Sequence, residues 1–240
     1  MPDGTLRSPN ATAGPFLASM PDAYRDAWRD DAEAVAAHAT IADVAAGDVR
    51  IRLWRSLEPD IACVIIVADD RPGLLARITT AIVAHDIDVV RAEAYCRTVS
   101  GVVQAVDLLW LRRFEDGALV RASDVAALET MVRGLVRSGI EPVPAAKARG
   151  TGEVTVRFER DARSGGLTLA VEARDRPGLL LAVTSALFRS GLQITGVRAT
   201  SEEGVAKDRF EVIELDGSVV DAGRQLELQI AILAALEHEA

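Results

Sequence analysis

The chain has 240 residues, of which 49% are hydrophobic, and 27 basic against 36 acidic residues give a net charge of −9. This length provides for one or two domains. The negative charge argues against the phosphate-neutralising surface that nucleic-acid binding requires. No run approaches the roughly 18 apolar residues that a bilayer span needs, and the N-terminus lacks the pattern of a signal peptide. We therefore expect a cytoplasmic protein with no nucleic-acid or membrane partner.

The first 47 residues divide into a tail and a helical segment. Residues 1–19 are mostly Pro, Gly, Ala, Ser and Thr, a composition that predicts a disordered tail because it buries little apolar surface. Tyr24 and Trp28 stand at helical spacing, and the alanine-rich stretch 32–46 follows two acidic residues, which favours a second helix. Residues 20–47 are therefore predicted to form a helical lead-in.

The hexapeptide Asp-Arg-Pro-Gly-Leu-Leu occurs twice, at Asp70–Leu75 and at Asp175–Leu180, 105 residues apart. Each copy follows an apolar run and precedes apolar residues at helical spacing, the pattern of an amphipathic helix. Two copies of one strand–turn–helix unit indicate an internal duplication.

The pattern around each hexapeptide predicts a repeated series of strands and helices. Alternating residues at 48–55 predict a half-buried strand before the first unit. The first unit is predicted to comprise strand 61–68, helix 72–85, strands 87–97 and 102–112, helix 123–138 and strand 153–160. The second unit is predicted to comprise strand 167–174, helix 177–190, strands 192–201 and 205–215, and a helix at 221–237.

The order βαββαβ is that of a ferredoxin-like sandwich, so the expected class is α+β with two such units. The second unit lacks a fourth strand, and the spare strand at 48–55 is the candidate to cover its open edge. We therefore expect interlocked units, with residues 48–160 forming the first and lending a strand to the second, which takes residues 161–240.

The repeated turn has the chemistry to bind a small zwitterion. Proline suits the first helical position, and glycine allows another group to approach the backbone. A helix N-terminus can hold a carboxylate, while Asp70 or Asp175 can meet an ammonium group. The alternative is structural, with the aspartate capping its helix and the glycine serving packing.

The two hexapeptides resemble the first loop of ACT domains, ferredoxin-like regulatory modules that bind amino acids. More narrowly, the pair resembles the C-terminal regulatory region of the bifunctional uridylyltransferase/uridylyl-removing enzymes of bacterial nitrogen control. The resemblance implies an allosteric, amino-acid-binding regulator without a cofactor, with glutamine as the first candidate ligand. It assigns ligand-binding roles to two groups of residues: Asp70, Arg71, Gly73, Leu74 and Asp88 in the first unit, and Asp175, Arg176, Gly178, Leu179 and Gln193 in the second.

Asp88 and Gln193 occupy the start of the second strand in each unit, where ACT domains often carry Asn. We expect Asp88 to stand beside Asp70, where it would repel a ligand carboxylate. On that basis the second unit is expected to hold the better site.

The sequence offers little support for catalysis. It has no nucleotidyltransferase loop with paired aspartates, and His38, His85 and His238 lack the spacing of metal ligands, so we expect neither an enzyme nor a metal site. Phosphatases of ferredoxin-like fold pair a loop arginine with an asparagine, and the one asparagine here is Asn10.

One alternative function stays open. The chain would be a ligand-free interaction module that docks onto a signalling protein or a separate nucleotidyltransferase. Open sheet edges would also allow a homodimer.

Overall fold

The computed structural model describes residues 9–58, 60–114, 117–139, 153–160 and 167–237. The helices are α1 (Pro9–Ser19), α2 (Asp22–Trp28), α3 (Ala32–Ile41), α4 (Leu74–Ala84), α5 (Ala122–Ser138), α6 (Leu179–Arg189) and α7 (Ala222–Glu237). The strands are β1 (Val49–Glu58), β2 (Ile61–Asp69), β3 (Ile87–Val99), β4 (Val102–Arg113), β5 (Thr155–Arg160), β6 (Leu167–Arg174), β7 (Leu192–Glu202) and β8 (Val205–Glu214).

The strands form one eight-stranded antiparallel sheet in the order β1-β2-β4-β3-β7-β8-β6-β5. In each half, two parallel strands joined by a helix enclose a third strand, which is the split βαβ arrangement of a ferredoxin-like sandwich. The expected α+β class with two such units is therefore confirmed. The halves meet where β3 pairs with β7, and we call this pairing, together with the packed helices α4 and α6, the seam.

The expected exchange of a strand between the units was wrong. Strand β5 pairs with β6 and not with the first unit, and β1 pairs with β2, so each edge strand precedes its own unit. Two residues separate β1 from β2, and six separate β5 from β6. Such short connections favour hairpins because they cost little loop-closure entropy. The first unit thus ends with α5, and residues 155–160 belong to the second.

The inner face of the sheet carries helices α4 to α7 and the larger core. Strand β2 shows why its sequence is almost continuously apolar: Val64 and Ile66 face this core, while Cys63 and Ile65 face the opposite side. A strand buried on both faces loses the alternation of a half-exposed one.

Helices α1 to α3 cover the outer face of the first unit. The predicted lead-in contains α2 and α3, whereas residues 9–19, which were expected to lie in a disordered tail, form α1. Phe16 is 4% exposed and Met20 is 1% exposed, because both pack with Tyr24 against the sheet. The amino-acid composition did not predict this helix, because a few large apolar side chains are enough to hold it against the sheet. Residues 1–8 lie outside the described residues.

The seam lies on a pseudo-two-fold axis. Residues 91–95 of β3 pair with residues 196–200 of β7, and the Thr79 and Thr184 hydroxyls lie 3.1 Å apart, 105 positions apart in the sequence. Identical positions of the duplication therefore meet each other at the centre of the molecule. None of the described helices is long and apolar enough to cross a membrane.

Candidate ligand sites at the seam

Both hexapeptide loops place glycine in the left-handed region, immediately before the helix. Gly73 has φ 74° and Gly178 has φ 78°, and neither helix receives a side-chain cap at its N-terminus. The alternative in which the aspartate caps its own helix is therefore not what the structure contains. The first N–H group of each helix, that of Leu74 or Leu179, instead donates to the arginine carbonyl of its own loop.

The loops are paired crosswise between the units. Asp70 contacts Gln193 from the start of β7, and Asp175 lies close enough to Asp88, at the start of β3, to shift its pKa. The expectation that Asp88 stands beside Asp70 was wrong. Because β3 and β7 pair at the seam and α4 packs on α6, each loop meets the second strand of the other unit.

We define the first site as Asp70, Asp107 and Gln193, which line one cavity. The Gln193 side-chain amide donates to both oxygens of Asp70, at 3.0 and 2.9 Å, and the Cys96 Sγ lies 3.5 Å from the same carboxylate. Burial, followed by the charge of Asp70, raises the pKa of Asp107 to about 8. The Gln193 Oε1 atom is buried and has no hydrogen-bond partner among the described residues.

An arginine and an aromatic ring cover the first loop. A Cβ on Gly73 would lie 2.7 Å from Phe188 Cδ2 and 2.8 Å from Arg77 Nη1. The Arg77 guanidinium donates to the Pro72 carbonyl at 3.0 Å and stands 5.5 Å from the centre of the Phe188 ring. The close approach at Gly73 is thus taken by groups of the chain, and Gly73 and Phe188 form part of the wall of the first cavity.

The second repeat has smaller residues at the two equivalent positions. At the positions one repeat away from Arg77 and Phe188, the chain has Ala182 and Val83. The arginine and the aromatic ring that approach Gly73 therefore have no counterpart at the equivalent positions of the second repeat.

We define the second site as Asp88, Asp175 and Asp208, which line the other cavity. The Ser201 hydroxyl donates to Asp175 at 2.5 Å. Burial, then the charge of Asp175, raises the pKa of Asp88 to about 6 and that of Asp208 to about 7. Three carboxyl groups thus line one cavity that opens to solvent, as the first cavity does.

The remaining predicted site residues lie at the margins of these cavities. Leu74 and Leu179 are buried in the core and line the first and second cavity respectively. Arg71 is exposed, with a 3.8 Å ion pair to Asp69. Arg176 lines the second cavity and donates to the Leu236 carbonyl at 3.2 Å, while its Nε atom is buried without a hydrogen-bond partner in the described part of the chain.

Sequence reasoning missed Asp107 and Asp208. They are equivalent, because Asp107 lies opposite Ala94 of β3 and Asp208 lies opposite Ala199 of β7, the same alanine of each repeat. Each could have been recognised in the sequence as a single acidic residue at a strand position that faces the inner core, where an apolar residue is normal. The equivalence of the two aspartates was not visible in the sequence, because the β3–β4 and β7–β8 hairpins differ in length and the two residues are therefore not 105 positions apart.

Comparison with protein-family models found no match. Individual relatives do match. The bifunctional uridylyltransferase/uridylyl-removing enzyme of Phenylobacterium zucineum is 28% identical, and the alignment covers 97% of this chain and 25% of that enzyme. The enzyme of the same name from Caulobacter vibrioides is 30% identical over 92% of this chain and 24% of the enzyme. In Rhodospirillum rubrum the identity is 25%, over 78% of this chain.

This chain spans about a quarter of the length of these relatives. Nearly all of it aligns, so the similarity includes the helical lead-in as well as both repeats. The resemblance first indicated by the two hexapeptide loops is confirmed, and the chain is a tandem ferredoxin-like relative of one part of the bifunctional uridylyltransferase/uridylyl-removing enzymes.

Proposed function

We propose that the chain is a non-catalytic regulatory module that binds an amino acid at the seam between its two ACT-type units. The observation that carries this proposal is the hydrogen-bonded pair of Asp70 and Gln193, which joins the first loop of one unit to the second strand of the other. A ligand bound there contacts both units. It regulates only if it binds one arrangement of the units more tightly than another.

Glutamine is the first candidate for the first site, because of the resemblance to nitrogen-control enzymes. The geometry supports this choice, since Asp70 already accepts two hydrogen bonds from a carboxamide, the group that a glutamine ligand carries. Asp88 lines the second cavity and not the first. The repulsion that its carboxylate exerts on a ligand carboxylate therefore acts in the second site. It therefore favours the first site for this ligand.

The test is thermal unfolding of the 240-residue chain against each of the twenty amino acids at millimolar concentration. A ligand at 100 times its Kd adds about 2.7 kcal/mol to the free energy of unfolding. We expect glutamine to raise the midpoint, Gln193→Ala to abolish the rise, and Asp88→Ala, the equivalent change in the other site, to retain it. A rise that persists in Gln193→Ala would remove the ligand from the first site.

The alternative function is an interaction module that docks onto a signalling protein or a separate nucleotidyltransferase. One observation favours it: Leu226 and Ile230, one turn apart on α7, are 61% and 60% exposed. It predicts that no amino acid shifts the midpoint, and that immobilised chain retains a partner which Leu226→Glu releases. A selective response to an amino acid would decide against it.

A further inference from the structure

The two cavities at the seam occupy equivalent places in the duplication but differ in charge. In the first site the loop aspartate receives the Gln193 amide. In the second site the position of Gln193 is taken by Asp88, so the loop aspartate Asp175 meets a third carboxyl instead of an amide. The second site therefore has more acceptors than donors.

Asp208 is the clearest case of an acceptor without a donor in the second site. It is 4% exposed and lines the cavity, yet its carboxyl accepts no hydrogen bond and makes no ion pair within the described residues. A buried carboxyl without a partner is costly, and the protein normally satisfies such a group. Its orientation into the cavity leaves it available to a ligand.

A metal ion is the wrong partner for these carboxyls. Across the described residues, no three His, Cys, Asp or Glu side chains are grouped closely enough to hold one. Three carboxyls spread along one cavity suit an extended organic cation better, because its charge and its hydrogen-bond donors can be separated by several bonds.

The other end of the cavity can accept an anion. Arg176 lines it, the buried Nε atom of this residue has no hydrogen-bond partner in the described residues, and α6 starts without a side-chain cap. Acidic groups at one end and donors at the other match an amino acid with a cationic side chain.

We infer that the second site binds a basic amino acid, with its ammonium or guanidinium group against Asp88, Asp175 and Asp208 and its carboxylate towards Arg176. This inference rests on the proposed function, because it assigns a ligand class to one of the two seam sites. It gives the two halves of the duplication different ligands, with a carboxamide in the first site and a cation in the second.

Binding is expected to release protons. The pKa of Asp88 is raised to about 6 and that of Asp208 to about 7, so both carboxyls are partly protonated between pH 6 and 7, and an arriving cation favours their ionised form. Asp175 is the third acid that faces them, Arg112 acts on Asp88 from β4, and Arg176 is the basic group of the loop.

The experiment is isothermal titration calorimetry of the full chain with lysine, its uncharged analogue norleucine, cadaverine and glutamine. We expect lysine to bind at least tenfold more tightly than norleucine, which lacks the cation, and than cadaverine, which lacks the carboxylate. At pH 6.5, the lysine binding enthalpy should differ between phosphate and Bis-Tris, two buffers that titrate near this pH with different ionisation enthalpies, because the released protons are taken up by the buffer. Equal affinities for lysine and norleucine, or for lysine and cadaverine, would overturn the assignment.

Matched variants locate the lysine. Asp208→Asn should weaken lysine binding at least tenfold, whereas Asp107→Asn, the equivalent change in the first site, should alter it less than twofold. Asp88→Asn, at a less buried position, serves the same purpose if Asp208→Asn does not fold. Unchanged lysine affinity in the folded second-site variants refutes the inference.

Glutamine separates this inference from the proposed function. If glutamine binds and lysine does not, only the inference fails. If none of the twenty amino acids binds, the proposed function fails with it.

Discussion

At the residue scale, the glycines of the hexapeptides do two things at once. Both have positive φ, a conformation that costs an L-residue about 1–2 kcal/mol. Gly73 additionally admits the side chains of Phe188 and Arg77 against its backbone. The glycine predicted to permit a close approach thus does so, and the approaching groups at this loop come from the chain itself.

Substitution of Gly73 separates these two effects. Gly73→Ala should destabilise the protein by about 2–4 kcal/mol, because the strained φ is combined with a Cβ placed 2.7 Å from Phe188. Gly101→Ala is the control, since Gly101 has φ 82° but nothing within 4 Å of the added Cβ, and only the cost of the φ angle is expected. Urea denaturation measures both. Equal losses in the two variants would show that Phe188 moves aside without cost.

At the element scale, helices α2 and α3 are attached to the sheet by a buried aromatic and polar cluster. The Tyr24 hydroxyl lies 2.7 Å from His38 Nδ1, and Trp28 Nε1 donates to Glu93 at 3.0 Å. His38 is fully buried, with its ring centre 4.3 Å from that of Trp54 on β1. The helical layer is therefore part of the folded unit rather than a leader to it.

This layer should make the protein sensitive to acid. Burial, with a smaller contribution from Arg55, lowers the pKa of His38 to about 3, whereas an unfolded histidine titrates near 6.5. As the pH falls below 6.5, the unfolded state binds the proton first, so stability that is complete above 6.5 is progressively lost. The loss is about 1.4 kcal/mol per pH unit, or about 2 kcal/mol at pH 5.

Urea denaturation at pH 7 and pH 5 measures this effect. His38→Gln should lower the stability at pH 7 but remove this part of the pH dependence. His85→Gln is the control, because His85 is half-buried at the end of α4, 2.8 Å from the Ala81 carbonyl. An unaltered pH dependence in His38→Gln would mean that another group causes the acid sensitivity.

At the scale of the whole molecule, the seam joins the two units through backbone pairing and helix packing. The sheet continues from β4 through β3 and β7 to β8 without a break, and Thr79 meets Thr184 on the helix layer. A ligand that changes the seam can therefore alter how the units are held together, which is what a regulatory module requires.

The seam also predicts cooperative unfolding. All three tryptophans, Trp28, Trp54 and Trp110, precede the second unit, so their fluorescence monitors the first unit while far-UV circular dichroism monitors both. The two signals should give coincident urea transitions, the behaviour of a single cooperative unit.

A charge in the seam should separate the two transitions. Thr79→Asp places a carboxylate at a position that is 1% exposed, while Thr130→Asp, with the same local hydrogen bond on the exposed face of α5, should leave the transitions coincident. Separate transitions in the unaltered chain would show that the units unfold independently.

Much of the fold could be predicted because it is encoded locally. The repeat period, the starts of α4 and α6 directly after Pro-Gly, and the alternation of β1 are properties of neighbouring residues. The proline itself was wrongly expected at the first helical position, because the glycine that follows it takes a left-handed conformation and the helix begins only after that glycine. The edge-strand assignment failed because two positions in the chain fit the same place in a ferredoxin-like sheet, and short hairpin connections decided between them. The prediction for the segment that forms α1 failed for a related reason, since the stability of this helix comes from the packing of Phe16 on other elements.

The sequence by itself determined that there are two similar units, and that their loop aspartates and the polar residues Asp88 and Gln193 are candidates for binding. Only the tertiary structure decided which of these residues share a site. The two repeats carry the same loop, so no local pattern distinguishes pairing within a unit from pairing across the seam. The antiparallel junction of β3 and β7 makes that choice, and it brings Gln193 to Asp70 and Asp88 to Asp175.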